Sequence, residues 1–127
     1  MNHKLSKNER LHSKKSIKEL FDKGSSFFLY PFKVLYLDRH KDSIETNQVL
    51  FSVSKKKIKK AVDRNQVKRR IKEGYRLNKH LLSNAEVKKN IALIYVSSDI
   101  PSFKKIEPII QKILVRLDQQ SNEIQKI

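Results

Sequence analysis

The chain has no cysteine and no tryptophan, two glycines and three prolines among 127 residues, and 13 acidic residues against 29 lysines and arginines. Each shortage removes a class of function. Without cysteine there is no disulfide framework and no thiolate metal site, which fits a reducing compartment. With Gly24 and Gly74 as its only glycines, the chain has no glycine-rich loop to cradle a phosphate. The acids are scattered, and His3, His12, His40 and His80 lie far apart, so no carboxylate cluster for metal ions and no histidine pair for proton transfer is indicated. No apolar run approaches the roughly 18 residues that span a bilayer, and the opening MNHKLSKNERLHSKK lacks the apolar stretch of a secretion signal. The expectation is a cytoplasmic protein with no membrane partner, no catalytic residues and no metal site of its own.

What is present in excess is positive charge, and it is concentrated. The formal net charge is +16, and the segment from Lys55 to Lys72 holds ten lysines and arginines against one acid, Asp63. Wound at about 100° per residue, Arg64, Asn65, Lys68, Arg69, Lys72 and Arg76 fall on one arc, while Val67, Ile71 and Tyr75 fall on the other side. A run of charge is ordinarily a solvated face whose acids and bases pair at i,i+4. Here only Asp63 and Glu73 are available for that pairing, so the arc is predicted to meet a polyanion. Arginine offers a planar fork of donors suited to phosphate, lysine a mobile point charge, and asparagine a donor and an acceptor for a sugar or base edge. No large apolar flank accompanies this helix, so nucleic acid suits it better than a membrane surface.

The remainder reads as one domain over residues 1–127, with 1–12 and 119–127 as flexible ends and Lys4, Lys7 and Arg10 on the first of them. Ser13 caps a short helix through Asp22 that Gly24 stops in a left-handed conformation, with Ile17, Leu20 and Phe21 on its apolar stripe. FFLYPFKVLYL, from Phe27 to Leu37, is strand-like; Pro31 marks its start or a bulge, and the regular strand from Phe32 puts Val34 and Tyr36 on one face with it. After a polar connection over residues 40–47, Gln48 to Ser54 alternates as a half-buried strand, and the basic helix runs from Ala61 to Leu82 or breaks near Asn78. A polar loop over 83–90 precedes a buried central strand from Ile91 to Ser97. Ile106, Ile109, Ile110, Ile113, Leu114 and Leu117 then mark a final amphipathic helix whose regular bonding begins near Pro108. Helix, two strands, helix, strand, helix is an α+β two-layer sandwich order.

The stretch FSVSKKKIKKAVDRNQVKRRIKEGYRL, Phe51 to Leu77, resembles the signature of the bacterial ribonuclease P protein component: a strand ending in a Ser-Lys-Lys turn, then Ala-Val-x-Arg-Asn-x-x-Lys-Arg on a helix. The resemblance implies a left-handed crossover between the strands that flank the basic helix, in a fold shared with a domain of a small-subunit ribosomal protein. It implies that Arg64, Asn65, Lys68, Arg69 and Lys72, extended by Lys55, Lys56 and Lys57, contact a catalytic RNA. It implies that Ile17, Phe21 and Tyr36 line a cleft for the 5′ leader of precursor tRNA. In such an enzyme the RNA subunit is the catalyst and holds most of the required Mg2+, while one protein copy per RNA adds electrostatics and substrate grip. The chain departs from the family pattern at Ile17, where an aromatic is common, at Leu50, where glycine is usual, and at Gly74, where alanine is usual. An alternative that the composition leaves open is a structural RNA-binding ribosomal protein, which would have no reason to prefer precursor over mature tRNA; a DNA-binding protein is a third.

Overall fold

The computed structural model describes residues 5–39, 46–82 and 88–120. Lys4, the centres of the two polar connections at 40–45 and 83–87, and the tail beyond 120 lie outside the described residues. Seven main elements follow in order: α1 (Lys14–Lys23), β1 (Ser25–Leu29), β2 (Phe32–Asp38), β3 (Gln48–Val53), α2 (Ala61–Asn78), β4 (Lys89–Tyr95) and α3 (Phe103–Asp118). The strands form one sheet in the order β1-β2-β4-β3. β1 and β2, and β2 and β4, pair antiparallel; β3 and β4 run parallel and are joined through α2.

The α+β class holds, with one more strand than the apolar pattern suggested. Phe27 to Leu37 is a hairpin of two strands, Leu29 pairing with Phe32 across a turn at Tyr30 and Pro31. Proline has no N–H for a ladder, and in a two-residue turn none is required. The peptide bond between them is cis.

Alternation along the strands divides the sheet into two faces. Phe27, Phe32, Val34, Tyr36, Val49, Phe51, Ile91, Leu93 and Tyr95 face the main core, which Val67, Ile71 and Tyr75 of α2 and the aliphatic stripe of α3 complete. Edge-to-face ring pairs, Phe32 with Tyr95 and Phe51 with Tyr75, hold this layer together. On the opposite face Leu35 and Ala92 pack with Leu20 of α1 and with Leu11. One ten-residue helix cannot cover four strands, so Ile17, Leu37, Leu50 and Ile94 stay partly open around it.

Four local expectations are corrected. Gly24 ends α1 with φ of −70°, so it does not use the left-handed region. It is required there by close approach, since a β-carbon would run into the Leu20 carbonyl oxygen and lie 3.0 Å from that of Tyr36. α3 begins at Phe103, not near Pro108. The N–H that Pro108 lacks would have bonded the Lys104 carbonyl, and both residues are exposed, so water can take that place. β4 begins at Lys89, two residues before the apolar run, because Lys89 Nζ bonds Asp38 at 2.9 Å with both side chains buried. Residues 5–12, expected as a flexible end, lie against the body of the protein through the contacts of Arg10 and Leu11 with Val49.

α2 and α3 meet closely at Gly74, where a β-carbon would come within 2.7 Å of Ile110 Cδ1. One turn further on, buried Asn78 donates from Nδ2 to the Gly74 carbonyl and to Glu107 Oε2, and accepts from Gln111 Nε2. A small residue and a satisfied amide thus fix the register of the two helices.

Candidate nucleic-acid interface

The basic surface begins where β3 ends. Ser54 donates its N–H to the Tyr95 carbonyl, the exposed turn Lys55–Lys57 follows, and Ile58 then drops into the core with its N–H on the Ser54 carbonyl. Burying Ile58 forces the three lysines outward. Arg64, on the first turns of α2, folds back so that Nη1 donates to the Ile58 carbonyl at 3.0 Å and the Lys59 carbonyl at 2.7 Å. Of the residues expected to touch RNA, Arg64 therefore also positions the lysine turn.

Further along α2, Val67, Ile71 and Tyr75 are buried, Asn65 and Arg69 are exposed, and Lys68 and Lys72 are half-buried. Five of the six residues of the predicted arc, Arg64, Asn65, Lys68, Arg69 and Lys72, share the solvent side of one helix. Partial burial pushes the Lys72 ammonium below its ordinary value, and the nearby positive charges of Arg10 and Lys68 push it further. The two remaining guanidinium groups of the helix are otherwise engaged. Arg76 is bonded to Glu73, with Nη2 2.6 Å from Oε2, and Arg70 Nη1 donates to the Pro101 carbonyl at 2.7 Å. Glu73, one of the two acids near the arc, is thereby turned to Arg76.

Arg10 reaches this surface because the N-terminal segment adds to the free edge of β3. Arg10 forms a parallel bridge with Val49, Leu11 donates its N–H to the Val49 carbonyl at 3.0 Å, and Gln48 Nε2 donates to the Asn8 carbonyl. A 3-10 turn at Lys7–Glu9 is closed by the Ser6 N–H on Glu9 Oε1 at 2.8 Å. The sequence carried a signal for this docking in the Ser6 to Glu9 capping spacing and in Leu11, an apolar residue within a polar stretch.

The leader-binding trio is only partly brought together. Ile17 and Phe21 lie four apart on α1 over the second sheet face; Ile17 is half-buried and Phe21 is 50% exposed. Tyr36 is not with them. It points into the main core, 7% exposed, with its ring 6.1 Å from that of Phe27. Its strand neighbours Phe32 and Val34, which share its face, are fully buried in the same core. The residues that β2, β3 and β4 present toward α1 are Leu35, Leu37, Leu50 and Ile94. Together with Ile17 they form an apolar groove. Sequence reasoning missed them because strand alternation does not say which face meets which helix.

Among the described residues there is no group of three or more His, Asp or Glu side chains able to hold a metal ion, and no helix long and apolar enough to cross a membrane. A cationic helix face on which only Arg76 has a paired acid among the arc residues, a lysine turn and a separate apolar groove define the class as an α+β nucleic-acid-binding protein. The comparisons with known proteins narrow it. A sequence profile of the family Ribonuclease P matches residues 5–118. The ribonuclease P protein component of Porphyromonas gingivalis strain W83 is 39% identical over 117 residues, covering 89% of this chain and 85% of its own. That of Clostridium novyi is 33% identical over 115 residues, covering 88% and 96%. The solved RNase P protein of Staphylococcus aureus superposes with a TM-score of 0.70 at 24% identity, covering 86% of this chain and 94% of its own. The one from Thermotoga maritima gives 0.68 at 24% identity, covering 85% and 96%. The chain belongs to the ribonuclease P protein component family, and it is a protein subunit of that tRNA-processing endoribonuclease.

Proposed function

We propose that this subunit works in two places at once: the basic arc of α2 grips the catalytic RNA, and the groove beside α1 holds the 5′ leader of precursor tRNA. Lys68, Arg69 and Lys72, with Arg64 and the turn Lys55–Lys57, neutralise phosphates of the RNA subunit, and Asn65 bonds a sugar or base edge beside them. Ile17 and Phe21 take the leader against Leu35, Leu50 and Ile94, by apolar contact that tolerates many sequences. One protein copy per RNA, acting in the cytoplasm, completes the enzyme.

The observation that carries the reading is the cluster of Lys72, Lys68 and Arg10. Partial burial, and after it the positive charges of Arg10 and Lys68, depress the Lys72 ammonium, and a polyanion laid across the three would relieve the repulsion. The Mg2+ that the enzyme requires belongs on this reading to the RNA. The protein's contribution is therefore substrate affinity and charge neutralisation around the RNA's active site. The test is a pair of variants in the reconstituted enzyme. Lys68→Ala with Arg69→Ala should weaken assembly with the RNA, whereas Ile17→Ala with Phe21→Ala should narrow the preference for precursor over mature tRNA. Equal effects of both pairs on both steps would overturn the two-site reading.

A further inference from the structure

The β1–β2 hairpin carries two aromatic rings that the core does not use. Phe28 is 56% exposed and Tyr30 is 65% exposed, and their centroids lie 6.2 Å apart with the planes at 55°. Tyr30 is held in place, since its hydroxyl donates to Ser97 Oγ at 3.3 Å. Two adjacent rings left in water on a 127-residue chain of net charge +16 suit an occupant that is anionic and has flat apolar faces.

The surroundings indicate which occupant. Phe28 pairs across the strands with exposed Lys33, Lys33 with Ile94, and Ile94 with Ser52, so one row of side chains crosses the second sheet face from the rings to the wall of the α1 groove. The same end of the sheet also leads to the basic turn. The Pro31 carbonyl accepts from Val96, the Tyr95 carbonyl accepts from Ser54, and Lys55 follows. From β1 to β3 is three strand spacings, about 14 Å, a distance that a few nucleotides bridge.

We propose that Phe28 and Tyr30 form a stacking platform for single-stranded RNA, taking bases of the 5′ leader upstream of those in the α1 groove, with Lys33 on the intervening phosphate. This rests on the leader reading above and extends it along the same sheet face. Base stacking on an aromatic side chain is sequence-tolerant and is the usual partner of a basic track in single-strand binding.

The experiment uses the holoenzyme reconstituted with the ribonuclease P RNA of its own source and three probes: mature tRNA, precursor with an intact long leader, and the same precursor with abasic upstream leader nucleotides. Abasic nucleotides keep the phosphates and remove the stack. Phe28→Ala with Tyr30→Ala should weaken binding of the intact precursor about tenfold or more. The same variant should bind the abasic precursor as wild type does, and Phe28→Tyr with Tyr30→Phe should restore the intact-leader affinity. Unchanged melting temperature accompanies this result, because both rings are exposed. Intact-leader affinity unaffected by the alanine pair, with precursor still preferred over mature tRNA, would overturn the platform, assign the rings to a protein contact and leave the groove standing. An alanine pair that weakens abasic and intact precursors equally would overturn it as well. Absence of any precursor preference in the wild-type enzyme would overturn platform and groove together.

Discussion

Lys79 Nζ lies 2.9 Å from both carboxylate oxygens of Glu9, which ties a residue just past the end of α2 to the N-terminal segment 70 positions away. The contact explains how Arg10 comes to stand beside Lys72. Partial burial pushes the Glu9 carboxyl up, but the Ser6 N–H and the Lys79 ammonium outweigh it, and the net shift is downward. A carboxylate with a lowered folded pKa contributes stability above its unfolded value, near 4.5, and loses it as pH falls through the lower folded value. The protection of the Leu11 amide, its exchange rate compared with the intrinsic rate at the same pH, should therefore fall on acidification below about pH 4.5, and Glu9→Gln should show the reduced protection at neutral pH. Protection at Leu11 independent of both changes would mean that the strand-edge pairing alone holds the segment.

If Arg69 and Lys68 each neutralise a phosphate, each alanine substitution should reduce the slope of log affinity against log salt by roughly 0.7 to 0.9 without shifting the melting temperature. For the four cations Arg64, Lys68, Arg69 and Lys72 together the contribution to the wild-type slope is about −2.8 to −3.6. Arg64→Ala should behave differently. It removes the donor to the Ile58 and Lys59 carbonyls, so besides the slope it should speed proteolysis within residues 55–60. Titration of the RNA at several salt concentrations, with limited trypsin digestion in parallel, separates the two roles.

The placement of Tyr36 yields a test of a different kind. A tyrosine that lined the leader groove would, when cut back, reduce precursor affinity and leave stability alone. Tyr36 is in the core against Phe27, so Tyr36→Ala should destabilise the fold by about 3 to 5 kcal/mol, and Tyr36→Phe should leave the precursor-to-mature preference as it is. Leu50→Lys, by contrast, places a charge at the partly open side of the groove and should reduce that preference. Urea unfolding and precursor binding on the same preparations measure both.

Asp38 and Lys89 form an ion pair with side chains 7% and 3% exposed, across the β2–β4 register. Removing the carboxylate in Asp38→Ala leaves a buried ammonium without its nearest counter-charge and should cost about 3 to 5 kcal/mol. Replacing both partners, as Asp38→Leu with Lys89→Met, should recover most of that loss. Chemical denaturation of the two variants decides it.

Much of the architecture was legible, and for identifiable reasons. The basic helix announced itself because Val67, Ile71 and Tyr75 repeat at helical spacing against an uninterrupted cationic arc, and α3 because its aliphatic residues do the same. Ser13 was read as the cap of α1, and its Oγ accepts the Ser16 N–H at 3.3 Å. The hairpin was hidden because FFLYPFKVLYL is apolar on both sides of Pro31, so no polar turn separates the strands. The start of β4 was hidden because a lysine and an asparagine open it, and only the buried Asp38 makes Lys89 a strand residue. Leu35 and Ile94 of the groove, and the tie between Arg64 and the lysine turn, depend on contacts between elements that no spacing within one element reveals.

The central claim is that this protein assists an RNA catalyst and does not cut RNA by itself. Its most direct test is cleavage of a 5′-leader precursor tRNA by the ribonuclease P RNA of its own source at low magnesium, with and without the protein, and by the protein alone. The account predicts that the protein stimulates accurate cleavage at the mature 5′ end, that Lys68→Ala with Arg69→Ala reduces the stimulation, and that the protein alone leaves the substrate intact. Cleavage by the protein in the absence of RNA, or no stimulation from a folded preparation that binds the RNA, would contradict it.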